Sequence, residues 1–181
     1  MKKWIAFFTM TGSEIYNVAN RMCHCPDAVI TNRPSIDGIN SGLLSIAHDR
    51  MYFLPKQPTV EEYHTALLDA GVDENTVVTL HGYLRVLPPK ICESYNIINC
   101  HPALISKYPE LKNLDPQKRS LNYRTIGTTL HKVIAAVDEG VILKEREIKN
   151  TFYTVEEITD ALRRESEELW MELLAEQLYY N

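Results

Sequence analysis

Ile97-Ile98-Asn99-Cys100-His101-Pro102 decides how the rest of this chain is read. Two β-branched apolar residues run into a carboxamide and an imidazole two positions apart, and a proline ends the run. Residues i and i+2 of a strand project to the same side, so the stretch reads as a strand presenting Asn99 and His101 together at its carboxyl end. An amide can donate to an oxyanion, and an imidazole can move a proton or carry positive charge. Thr128-Thr129-Leu130-His131 and Asp138 follow downstream and offer a carboxylate from a later loop. This inventory suits acyl transfer without a Ser or Cys nucleophile. Cys100, between the two polar residues, is expected to point the opposite way, into the core.

Outward from that strand, apolar runs alternate with helical patterns. Strands are predicted at 3–9, 28–31, 51–54, 76–80, 96–100, 125–135 and 140–149, the last with alternation through Val141, Leu143, Glu145 and Glu147. Helices are predicted from Gly12-Ser13 to Met22, from Thr59 toward Ala70, and over a short stretch after Leu87-Pro88-Pro89. Thr59-Val60-Glu61-Glu62 and Thr154-Val155-Glu156-Glu157 both have capping-box spacing. After the second, Val155, Ile158, Leu162, Leu169, Leu173 and Trp170, Leu174, Leu178 make an apolar helical stripe suited to core packing. Residues 35–50 are ambiguous between helix and loop, and 106–124 read as a polar stretch. Strands alternating with helices imply an α/β fold, a mostly parallel twisted sheet with helices on both faces. Ligands of such sheets bind beyond the carboxyl ends of the strands, at a switch point. Three candidate segments fall at predicted strand ends: 9–14, 81–87 and 99–107.

Composition narrows the function classes. The chain has 181 residues, 45% of them hydrophobic and 24% charged, enough for one well-buried core, and it reads as a single domain over 1–181. A net charge of −5 argues against non-specific nucleic-acid binding, which needs a basic face. The run after Met1-Lys2-Lys3 is too short for a signal sequence, and no other run approaches membrane-spanning length, so a soluble, cytoplasmic protein is expected. Cys23-His24-Cys25 lacks the second pair that structural zinc uses, and no metal is expected. His24, His48 and His64 read as surface or packing residues.

In order along the chain, Gly82-Tyr83-Leu84-Arg85-Val86-Leu87-Pro88, Asn99-Cys100-His101-Pro102-Ala103-Leu104, Lys107-Tyr108-Pro109, Thr128-Thr129-Leu130-His131 and Asp138-Glu139-Gly140 resemble the formyltransferase fold family. Within it the likeness is to the glycinamide ribonucleotide transformylases. The resemblance implies a Rossmann-like formyltransferase fold, 10-formyltetrahydrofolate as formyl donor and cosubstrate, and a small primary amine as acceptor. Glycinamide ribonucleotide, a phosphorylated amine of purine biosynthesis, is the expected acceptor. An amino sugar on a nucleotide, water in a hydrolase, or a folate-binding relative without turnover are the alternatives. By the same resemblance Asn99, His101 and Asp138 are the catalytic residues. Leu84, Arg85, Val86 and Leu87, with Val137 from the loop near 134–139, line the folate pocket. Gly12, Ser13, Glu14, Lys107 and Glu167 are assigned to the acceptor. Chemically, Asn99 and a protonated His101 would stabilise the oxyanion, and Asp138 would favour the imidazolium and help relay a proton.

The acceptor side departs from the family pattern. The family's Gly-x-Gly-Ser-Asn phosphate loop stands here as Met10-Thr11-Gly12-Ser13-Glu14. Gly12 and Ser13 remain at a helix start, where backbone N–H groups can cradle a phosphate. Glu14, however, places an anion beside that cradle. Lys107-Tyr108-Pro109-Glu110 likewise has a glutamate where the family has glycine.

Overall fold

The computed structural model describes residues 2–112 and 115–180. Seven strands form one sheet: β1 (Lys3–Phe8), β2 (Ala28–Thr31), β3 (Met51–Phe53), β4 (Thr76–Leu80), β5 (Ile97–His101), β6 (Thr125–Lys132) and β7 (Ile142–Lys149). The order is β3-β2-β1-β4-β5-β6-β7. β3 to β5 run parallel, while β6 and β7 return antiparallel. The chain leaves β1 toward β2 and β3, then crosses to the other side for β4, so the switch point lies at the carboxyl ends of β1 and β4.

β1 is apolar from Trp4 to Phe8 because both its faces are covered there. Trp4, Ala6 and Phe8 pack into one core with α1 (Ser13–Met22), α2 (Ser41–Ala47) and α6 (Val155–Ala175). Ile5 and Phe7 pack into the other, with α3 (Val60–Asp69) and α4 (Pro89–Ser94). Both predicted capping boxes form, Thr59 with Glu62 and Thr154 with Glu157, each worth about 1 kcal/mol to its helix. The α6 stripe is buried as its periodicity predicts, with Val155 only half-buried at the first turn. A π-helical turn, Glu176–Tyr180, closes it and carries Leu178 into the core. Among the described residues no helix is long and apolar enough to cross a membrane.

Three segments differ from the sequence-based expectation. The ambiguous 35–50 region holds α2, started by Asn40, whose side chain accepts from the Leu43 N–H at 3.0 Å, and then a 3₁₀ turn, His48–Arg50. The polar stretch, of which Asn113 and Leu114 lie outside the described residues, contains a 3₁₀ turn, Pro109–Leu111, and the five-residue helix α5 (Pro116–Ser120). Neither is long enough to show an apolar period. β6 ends at Lys132 rather than 135, and the Val133 N–H makes a last bond to β5, at Ile97 O and 2.9 Å. Residues 133–141 then loop back over the sheet end. Gly140 permits this return: a Cβ there would lie 1.7 Å from Lys132 O.

Candidate active site

β5 delivers the two polar residues as its pattern requires. Ile98 and the partly buried Cys100 pack toward the α1–α6 core, Cys100 also bordering the second cavity described below, and Asn99 and His101 alternate with them along the strand. Antiparallel pairing sets His131 of β6 directly across from Asn99, and Thr129 across from His101. The 133–141 loop brings Asp138 back over both histidines, with Asp138 itself in the left-handed region at φ 56°. Its Oδ2 lies 3.3 Å from His101 Nδ1 and its Oδ1 3.5 Å from His131 Nε2, with 9% of the side chain exposed.

Hydrogen-bond geometry fixes the orientation of each group. In the neutral ring, His131 Nδ1 donates to Lys132 O at 2.9 Å, which leaves Nε2 to accept from Asn99 Nδ2 at 3.3 Å. The Asn99 amide is thereby oriented, and its second N–H remains for a ligand. His101 Nε2 donates to Leu111 O at 2.9 Å, so the contact between its Nδ1 and Asp138 can close only around a proton. Burial pushes the His101 pKa below 6.5, and Asp138 and the Leu111 carbonyl oppose this only in part. Asp138 favours the imidazolium, as expected from the sequence, but burial outweighs it, and the ring releases its proton more readily than a free histidine.

Two cavities meet at Asn99. The first, of 560 Å³, has an apolar floor including Leu80, Leu87, Cys92 and Val133, and its polar end is Asn99, His131 and Asp138. Leu84, Val86, Ile134 and Val137 stand at its rim, with Leu84 63% and Val86 71% exposed. Arg85 also lines it, its Nε without a hydrogen-bond partner among the described residues. The structure thus brings Leu84, Arg85, Val86, Leu87 and Val137 to one wall system next to Asn99. A slot of this size with an apolar body and one polar end fits a flat, drug-sized heterocycle.

The second cavity, of 390 Å³, shares Tyr83, Leu84 and Asn99 with the first and adds Glu14, His101 and Ser166. Of the five residues assigned to the acceptor, only Glu14 lines it. Gly12 caps α1 at φ 71°, and Ser13 Oγ is held by Thr11 at 2.7 Å. Lys107 Nζ is bound to Glu147 at 2.6 Å and Thr125 at 3.0 Å, away from the cavity. Glu167 is buried between α1 and α6, where Asn17 donates to it at 2.7 Å and Arg21 and Arg163 pair with it at 3.8 and 3.7 Å. Gln117 of α5 and Thr159, Arg163 and Ser166 of α6 line the cavity without having been assigned. The α6 residues were detectable: Thr159 and Ser166 are polar residues in line with the buried Leu162, at i, i+3 and i+7. Among the described residues no three His, Cys, Asp or Glu side chains come together to hold a metal ion.

Known proteins share this fold. The chain is 24% identical over 178 residues to the phosphoribosylglycinamide formyltransferase of Bacillus subtilis, covering 87% of this chain and 86% of that one. It is 29% identical over 121 residues to the trifunctional purine biosynthetic protein adenosine-3 of Drosophila melanogaster, a match spanning 64% of this chain but only 9% of that longer protein. Among solved structures, the phosphoribosylglycinamide formyltransferase of Anaplasma phagocytophilum superposes with a TM-score of 0.78 at 23% identity, over 95% of this chain and 85% of that one. A formyltetrahydrofolate deformylase of Pseudomonas syringae pv. tomato has the same fold, with a TM-score of 0.76 at 22% identity over 98% of this chain and 62% of that one. The profile of the family described as formyl transferase matches residues 15–174, and the chain belongs to that family.

Proposed function

We propose that the protein moves a formyl group from 10-formyltetrahydrofolate to a small primary amine, with Asn99, His101 and Asp138 as the catalytic residues. The observation that carries this reading is the junction of two cavities at one amide flanked by a proton-sharing His101–Asp138 pair. The apolar slot takes the pterin of the donor, its formyl carbon beside Asn99. The amine enters from the second cavity and attacks that carbon. A new C–N bond forms, and the carbonyl π electrons move to oxygen.

Each residue has a distinct task. The free Asn99 N–H donates to the developing oxyanion, a contribution typically worth roughly 3–4 kcal/mol of barrier. His101, less basic than a free histidine because it is buried, exchanges the proton it shares with Asp138. The pair takes the proton released by the attacking nitrogen and returns one to the leaving nitrogen as the old C–N bond breaks. The net change is one formyl and one proton exchanged, with tetrahydrofolate and a formamide as products. No covalent enzyme intermediate is needed.

Glycinamide ribonucleotide is the acceptor to assay first, since two of the relatives named above are phosphoribosylglycinamide formyltransferases. Glu14 in the wall of the second cavity favours a second reading, an amine without a phosphate, such as an amino sugar. The test mixes the protein with 10-formyltetrahydrofolate and follows tetrahydrofolate with and without amine. Release that requires the amine is the expected result. Release at the same rate with water alone would replace formyl transfer by hydrolysis, and donor binding without release would mark a folate-binding relative.

A further inference from the structure

The carboxylate of Glu14 has no part in the proton transfers above, yet a chain of buried groups holds it in place. Glu14 lies in the first turn of α1, and its side chain is 19% exposed in the second cavity. Ser166 Oγ donates to its Oε1 at 2.5 Å, and His81 Nδ1 lies 2.7 Å from its Oε2. Behind it, the His81 side chain is fully buried, its ring 4.5 Å from that of Trp170, and its Nε2 is 2.9 Å from Thr79 Oγ1. Trp4 Nε1, which can only donate, reaches that same hydroxyl at 2.7 Å.

These contacts order the protons. Thr79 accepts from Trp4 and turns its own hydrogen to His81 Nε2 at 2.9 Å in preference to Ile5 O at 3.5 Å, so Nδ1–H points at Glu14. Every donor in the row therefore ends on the carboxylate. His81 and Ser166 each use one acceptor site on an oxygen, and further acceptor capacity on both oxygens remains for the cavity. Arg163, the cation lining the same cavity, already faces Asp160 at 3.4 Å and Glu167 at 3.7 Å. Among the described residues that line the cavity, a second anion placed against Glu14 would find no lysine or arginine uncommitted to a carboxylate. Like charges brought together in a partly desolvated site are strongly disfavoured, whereas a hydroxyl or ammonium would complete the carboxylate's bonding.

We propose that Glu14 selects the acceptor, accepting hydrogen bonds from a hydroxyl or ammonium of the amine substrate and rejecting amines that set a phosphate against the start of α1. The proposal rests on the formyl-transfer reading and names the acceptor class: a hydroxylated amine that carries no phosphate at this end. Two matched pairs test it, an amino sugar against its phosphate monoester and glycinamide riboside against glycinamide ribonucleotide. Wild-type kcat/KM is expected to favour the unphosphorylated partner by about tenfold or more. Glu14→Gln should shrink that ratio toward one, and Ser166→Ala, which frees the carboxylate to swing, should shrink it less. Donor affinity, measured directly in each variant, reports whether the fold is intact. Equal or better use of the phosphorylated partner by the wild type overturns the proposal, whatever the variants do. So does an unchanged ratio in a Glu14→Gln protein that still binds donor. If none of the amines raises tetrahydrofolate release above that in water, formyl transfer itself fails and takes this proposal with it.

Discussion

The two cavities that meet at Asn99 are built in opposite ways. The donor side comes from nearby stretches of chain: the loop after β4, the end of β5 and the 133–141 loop, all within one half of the sheet. Its walls are apolar, and its rim exposes Leu84, Val86, Ile134 and Val137. The acceptor side gathers Glu14, His101, Gln117 and Ser166 from α1, β5, α5 and α6, and its character is charged and polar. An apolar slot tolerates exchange among side chains of similar volume. A polar wall depends on each donor and acceptor finding its partner, so this is where substrate choice is concentrated.

The largest expected effect falls on the pair that serves both sides. His101→Ala should lower kcat by about 10²–10⁴, the range of a positioned acid–base group, with donor affinity little changed. An equal loss in donor binding would show that His101 belongs to the slot rather than to the chemistry. On the donor side, Leu87 is 4% exposed. Leu87→Ala should cost about 2–5 kcal/mol of stability, read by denaturant unfolding, and weaken donor binding more than acceptor binding. On the acceptor side, Arg163 is exposed over 47% of its side chain and its charge is largely screened. Arg163→Gln should change acceptor KM by an amount equivalent to about 1 kcal/mol at most, without moving donor affinity.

The smallest effect is a shift on the pH axis. The His101–Asp138 pair must be able to take a proton from the attacking amine, and burial holds the His101 pKa below 6.5, so the acid limb of kcat/KM should lie below pH 6.5. Asp138 raises that pKa, and Asp138→Asn should move the limb lower still while reducing the rate. A limb that moves upward contradicts the pairing. The same burial makes folding weaken as pH falls from 6.5 through the lowered pKa, because the unfolded chain takes up a proton that the folded ring refuses.

What was legible in the sequence follows the same division. Period-two alternation at Asn99 and His101 and the capping boxes at Thr59 and Thr154 are local signals, and the structure contains all of them. The Leu84–Leu87 segment is contiguous, so its residues arrive at one cavity together. The partner of His101 Nε2 is a main-chain carbonyl, that of Leu111, and a carbonyl leaves no mark in side-chain identity. Lys107 and Glu167 are drawn into ion pairs with Glu147 and Arg21, contacts that only the packing of β7, α1 and α6 decides, whereas the Arg163–Glu167 pair is a local i,i+4 contact within α6. Glu14 meets Ser166 across 152 positions of chain, a separation over which sequence patterns carry no information.

Asn99 borders both cavities, so one substitution tests the account most directly. Donor affinity and the single-turnover rate of formyl transfer are measured together for Asn99→Ala. The account predicts a rate lower by about 10²–10³, the loss of one oxyanion donor, with donor affinity held within a few-fold. A rate within a few-fold of wild type, or a collapse of donor binding that accounts for the whole loss, would contradict it.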